Sequence, residues 1–126
     1  MKRTLAPAVF LLLLSVSPAR ADTPPSYVEL ADAPTITVDW SKGNTQAVTL
    51  HGNRAMVFAN GQKGGKYLLI VRQDDTGSRT VTWPASVHWP GGGPGPTLTT
   101  TANKKDYASF FFDGVTYDFL ALSQNF

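Results

Sequence analysis

Two histidines, one acidic turn and a scatter of aspartates are the residues of this 126-residue chain whose types could do chemistry. His51 borders Gly52-Asn53, and His88 stands between Val87 and Trp89. A metal site or an acid-base pair needs convergent partners, and neither histidine has a second histidine or a patterned carboxylate near it. Asp74-Asp75-x-Gly77 offers oxygens to calcium but lacks the alternating carboxylates and distal glutamate of a calcium loop. Turn chemistry explains the same residues, since Asp opens turns and Gly77 can take a positive φ. Asp106, Asp113 and Asp118 could form the paired carboxylates of glycoside hydrolysis, yet Asp113 falls in a hairpin turn and Asp118 on the face opposite the apolar one. The glycines of 61–65 and 91–95 open no helix and lead to no Lys-Ser/Thr, so they are not phosphate cradles. There is no Gly-x-Ser-x-Gly elbow. With no cysteine, thiol catalysis and cysteine-ligated metals drop out. The expectation is a protein with no catalytic residue, no metal and no cofactor.

Binding chemistry remains. Trp40, Trp83 and Trp89, with Tyr67, Tyr107 and Tyr117, invite a sugar-stacking interpretation, but large rings more often fill β cores. Trp89 is the exception, because Pro90 and a glycine-proline loop follow it and leave a ring partly exposed. The expected ligand-facing set is therefore Trp89 with Gly91, Gly92 and Gly93, together with Asp74 and Asp75 of the acidic turn. Loops on a rigid sheet scaffold are the usual place for recognition.

The elements that must position these residues are strands. From Thr35 onward the period is two, with Ile36, Val38 and Trp40 on one face. Segments 46–51 and 54–60 flank Gly52-Asn53, a two-residue hairpin signal. In that register Val48, Leu50, Ala55 and Val57 share a face, while Met56 and Phe58 fall on the other with Thr49. Either a bulge shifts the register or both faces are covered. Segment 66–73 is apolar throughout its centre and suits a central strand covered on both sides. A turn at 74–78 returns the chain into a strand at 79–83 that Pro84 ends. Segment 90–96 must be a surface loop, and 97–101 a short threonine strand. Asp113-Gly114 closes the last hairpin, placing Phe112 opposite Val115, Phe110 opposite Tyr117 and Ala108 opposite Phe119, with Ser109 and Asp118 paired on the other face. No window carries a helical stripe.

The ends and the composition set the class. Lys2 and Arg3, the leucine-rich stretch after them and Ala19-Arg20-Ala21 have the order of a secretory leader, predicted to span residues 1–21. Its apolar run is short and broken for a transmembrane helix. Lys2, Arg3 and Arg20 are three of the 11 basic residues, so the chain from Asp22 carries eight against nine acidic ones. A net of about −1 provides no general attraction for nucleic acid or anionic membrane. Residues 22–34 hold Pro24, Pro25 and Pro34 and are expected to form an extended arm, with Tyr27, Val28 and Leu30 lying against the domain or a neighbouring subunit. Residues 35–126 make one domain, an antiparallel β-sandwich of jelly-roll-like form, whose stability comes from packing or assembly rather than disulfides.

An ordered set of motifs runs through that domain. Gly65-x-Tyr67-x-Leu69-x-Val71 leads to Gln73-Asp74-x-Thr76-Gly77-x-Arg79-Thr80-Val81-Thr82-Trp83-Pro84 and Val87-x-Trp89. Gly91-Gly92, Pro96-x-Leu98-Thr99, Asn103-x-x-Asp106, Asp113-Gly114 and Asn125-Phe126 follow, with Val48-Thr49-Leu50 and Gly52-Asn53-Arg54 upstream. This order resembles the small C-terminal β domain of bacteriophage tail-fibre and other virion structural proteins. The resemblance implies an all-β sandwich serving as a structural or receptor-binding module, often on trimeric assemblies, with no catalytic residue. A leader ahead of it points to a stand-alone exported bacterial copy in the periplasm, at the cell surface or outside the cell. The partner expected is a protein or a cell-surface glycan, with homo-oligomerisation, no nucleic acid and no membrane insertion once the leader is gone. Two other functions fit the residues: a filament subunit whose arm adds a strand to the next copy, and a carbohydrate-binding module.

Overall fold

A computed structural model describes residues 26–126. The predicted leader lies outside the described residues, as does the start of the arm. Nine strands follow in order: β1 (Tyr27–Glu29), β2 (Thr35–Asp39), β3 (Thr45–Leu50), β4 (Arg54–Ala59), β5 (Lys66–Gln73), β6 (Val81–Thr82), β7 (Val87–His88), β8 (Lys105–Phe112) and β9 (Tyr117–Ser123). Two 3-10 turns, Trp40–Lys42 and Pro90–Gly92, interrupt them, and there is no α-helix among the described residues. The protein is all-β, as the two-residue period predicts.

The pairing is not purely antiparallel. A six-stranded sheet runs β1-β3-β5-β8-β9-β7, and a three-stranded sheet runs β2-β4-β6. The first six strands alternate between the sheets, and within each sheet they pair in parallel. The chain thus winds three coils, each giving one strand to each sheet. β8 then pairs antiparallel with β5, β9 antiparallel with β8, and β7 parallel with β9.

This winding corrects the expected hairpin at Gly52-Asn53. A type I′ turn needs positive φ at both central residues, and neither is in that region. The chain instead arches from one sheet to the other. Val48 and Leu50 then meet Met56 and Phe58 across one core, while Val57 stays 45% exposed. The conflict over Met56 and Phe58 came from pairing strands that lie in different layers. The turn at 74–78 is a second arch, joining β5 to β6 in the other sheet. Gly77 has φ 72° there, and a Cβ on it would lie 2.6 Å from the Thr100 carbonyl oxygen.

Two more expectations shift. Asp113 and Thr116 close a longer turn, because the Asp113 carboxylate accepts from the Val115 and Thr116 N–H groups at 2.8 and 2.7 Å. Phe112 therefore faces Tyr117, and Phe110 faces Phe119. A bulge at Ser109/Phe110 then sets Ala108 opposite Leu122 and Ser109 opposite Ala121. Residues 97–101 form no strand. Their backbone is held by side chains: Thr97 O accepts from Gln124 Nε2 at 2.8 Å, and Thr99 N–H donates to the Asp106 carboxylate at 2.6 Å.

The core lies between the sheets and is rich in rings. Trp40 stacks on Tyr67 (4.7 Å, 28°) and meets Phe58 edge-on at 5.3 Å. Phe58 also meets Phe110 and Tyr117 edge-on, at 5.1 and 5.2 Å. Each fully buried side chain of this size contributes about 1.5–3 kcal/mol. The tyrosine hydroxyls stay satisfied at the core's rim, accepting from Gln62 N–H (Tyr67, 2.8 Å) and Gly61 N–H (Tyr117, 2.9 Å). On β5 the inward Tyr67, Leu69 and Val71 are buried, and so is the outward Ile70, which sits between Ala47 and Tyr107 of its neighbours.

Candidate functional site

β7 pairs with Tyr117 and Asp118 of β9 and delivers Trp89 to the edge of the core. The half-buried indole meets Trp83 edge-on at 5.6 Å and Phe119 at 5.1 Å, so two neighbouring rings set its orientation. A Cβ on Gly95 would lie 2.7 Å from the Trp89 ring, so only glycine lets the returning loop lie on it. Gly91 and Gly92 take φ 72° and 69°, and nothing lies within 4 Å of a Cβ built on either. They are glycine for their backbone conformation, not for space. Gly92, Gly93 and Trp89 join Val87 and His88 around a depression of about 370 Å³.

Asp74 and Asp75 lie elsewhere. Asp74 is buried, and its carboxylate accepts from Gly77 N–H (2.9 Å), Thr76 N–H (3.2 Å) and the Arg79 guanidinium (Nε 3.2 Å, Nη2 3.0 Å). Arg79 first, and the turn N–H groups after it, pull its pKa down to about 2. His51 Nδ1 stands 3.4 Å from the same carboxylate. Asp74 thus shapes the arch, and Asp75 beside it is exposed. Both border a depression of about 610 Å³ with His51, Arg72, Asn103 and Phe126. This hollow and the one at Trp89 share no lining residue, so the two halves of the expected ligand-facing set form separate surfaces.

The remaining chemistry-bearing residues are dispersed. His88 is exposed at β7, Asp113 caps its turn, and Asp118 accepts from the Thr116 hydroxyl at 2.9 Å. The Thr116 and Val115 N–H groups hold the Asp113 pKa below its ordinary value. Among the described residues, no three His, Asp or Glu side chains gather as metal ligands.

Residue reasoning missed two features. The first is a set of buried polar groups, Gln46, Gln73 and Asp106. Gln46 Nε2 donates to the Asp39 and Gly43 carbonyls at 2.7 and 2.9 Å and secures the first 3-10 turn. The second is a cleft of about 260 Å³ between residues 79–83 and 95–100, lined by Thr80, Val81, Trp83, Pro96, Leu98 and Thr100 among others. Its only sequence signal is that two threonine-rich segments end in Trp-Pro or begin after Gly-Pro.

Comparison with known proteins gives two matches. Residues 33–117, well over half of the chain, match the family described as "Putative phage tail fibre C-terminal domain". A hybrid PKS-NRPS synthetase (mycA) of Thermothelomyces thermophilus is 38% identical over 73 residues, 58% of this chain. The chain spans about 2% of that protein's length. No solved structure matches.

Proposed function

The chain belongs to the phage tail fibre C-terminal domain family, a structural class of module, and from that premise we propose that it is a non-catalytic, exported β module that recognises a partner and self-assembles. The partner is a protein or a cell-surface glycan, met through surface loops. The observation that carries this is the fixed indole of Trp89 beside the left-handed Gly91-Gly92 turn, a recognition loop on a stiff support. Asp75 contributes at the second hollow, while Asp74 holds the arch from within. A chain carrying about one net negative charge from Asp22 onward does not suit nucleic acid.

Light scattering on the leader-free protein after size-exclusion chromatography tests the assembly. A mass two or more times that of the chain is expected, and a monomer at every concentration sinks the assembly part.

A second reading, a filament built by strand addition, has its own support. β1 and β2 end the two sheets at the first coil, and among the described residues each is paired on one side only. Open edges of this kind accept an added strand. Of the arm expected to reach a neighbour, residues 22–34, the stretch Tyr27–Glu29 pairs with β3 of its own chain. The added strand in this reading therefore comes from the partner.

A further inference from the structure

The cleft between residues 79–83 and 95–100 separates the β6 edge from the returning loop, and we propose that it binds one uncharged pyranose ring, either a free monosaccharide or one residue of a larger glycan. The proposal goes beyond the loop reading above, because this cleft shares no lining residue with the hollows at Trp89 and Asp75.

One backbone bond ties the two walls together at their base. Ser78 N–H donates to the Thr100 carbonyl at 2.7 Å, and beyond that bond no backbone hydrogen bond joins them among the described residues. Both walls nevertheless turn main-chain groups into the gap. On the first wall, Arg54 N–H donates to the Thr80 carbonyl at 2.9 Å, so Thr80 faces β4. Alternation along an extended strand then turns the Val81 N–H and carbonyl the other way. On the second wall, the Thr99 N–H bonds Asp106 and its carbonyl accepts from Gln73 Nε2 at 2.9 Å, both toward the body of the protein. Leu98, one residue earlier, therefore presents its N–H and carbonyl to the cleft, on the same side as the Thr100 carbonyl.

The lining fits a ring that is apolar on one face and polar around its rim. Trp83 supplies a flat apolar wall, Leu98 a buried floor, and Thr80, Thr97 and Thr100 supply hydroxyls at exposed positions. Hydroxyls of a sugar both donate and accept, which is what unpaired N–H, C=O and threonine groups require together. The cleft's one cation is already engaged, since both Arg79 contacts go to Asp74. An anionic sugar acid thus meets no free charge. At about 260 Å³ the volume falls below the roughly 300–1,000 Å³ of drug-sized pockets. The Ser78–Thr100 bond closes one end, so a polypeptide strand cannot run through. A compact ring fits.

The test is a titration of the leader-free protein, followed by amide NMR. The probes are the methyl glycosides of glucose, galactose, mannose and N-acetylglucosamine, with sodium glucuronate and the capped tripeptide Val-Thr-Val. At least one neutral glycoside should move the Val81, Leu98 and Thr100 amides saturably, with a Kd near or above about 1 mM. Thr80→Val should weaken it about 10-fold or more without unfolding, because Thr80 serves the fold through its backbone. Trp83→Ala should abolish it. Where Trp83→Ala fails to fold, Thr80→Val decides alone. No saturable shift with any neutral glycoside, shifts confined to 88–93, tighter binding of glucuronate or the tripeptide, or an unchanged Thr80→Val each overturns the proposal. Self-assembly is read by light scattering alone, so loss of sugar binding leaves that reading standing and a monomer leaves this one standing.

Discussion

Asp74 concentrates more of the fold's polar work than any surface carboxylate, and its titration has a definite sign. Its folded pKa is lowered from 3.8 to about 2, chiefly by Arg79. The stability this provides is complete above the unfolded value and drains away as pH falls through the folded one. Thermal midpoints should therefore drop between about pH 4 and pH 2, and Asp74→Asn should flatten that limb while lowering the midpoint at pH 7. A pH series of melting curves for both proteins checks this. The glycines divide by the same logic. Gly91→Ala bears only the left-handed conformation, about 1–2 kcal/mol. Gly77→Ala adds a collision with the Thr100 carbonyl and must cost more, as urea unfolding of both variants will show. Gly77's positive φ was legible in Asp-Asp-Thr-Gly. Asp74's burial was not, because the arginine and histidine that meet it depend on where the arch folds.

At the scale of elements, the arches replace hairpins, and paired substitutions discriminate them. Phe58→Ala should cost about 3–5 kcal/mol, since its ring meets Trp40, Phe110 and Tyr117. Val57→Thr should change stability by no more than about 0.5 kcal/mol, because the side chain is on the outer face. The hairpin register exchanges those outcomes, and chemical denaturation decides. Strand addition has an equally local test. Ala55 N–H donates to the Pro34 carbonyl, so alternation along β2 turns the Thr37 N–H outward. Thr37→Pro removes an outward donor and leaves the β2–β4 ladder paired. It should dissolve a filament built on this edge while preserving the monomer's circular dichroism. Undiminished assembly in light scattering rules out that edge.

For the whole molecule, order of folding follows from winding. Three coils bring β1, β3 and β5 together in parallel, and β8 joins only after the loop through 90–104 has returned. Pairings this distant in sequence must be closed before they reward the chain, which places folding in milliseconds to seconds rather than microseconds. Stopped-flow refolding monitored by the buried tryptophan Trp40 will test it, and a microsecond phase carrying the full signal contradicts it. Asp106 locks the last layer: it is buried and accepts from Thr99 N–H and Asn125 N–H. Asp106→Ala strands those donors at about 1–3 kcal/mol each, measurable by urea unfolding, and should loosen the C-terminal residues first.

Alternation of period two, the Asp-Gly and Asp-Asp-x-Gly turns and the ring-rich strands determined by themselves that this chain is all-β, and the ordered motifs determined its family. Those features are local, reaching only to the next residue or turn. Which strand lies beside which was decided by tertiary structure, because a strand's inward face is the same whether its neighbour is a hairpin partner or a coil one turn away. Met56 and Phe58 show the difference: they contradict a hairpin and agree with an arch, and no local signal separates the two. The separation of Trp89 from Asp75, and the opening between Val81 and Leu98, were decided in the same way, by how the layers close on a shared core.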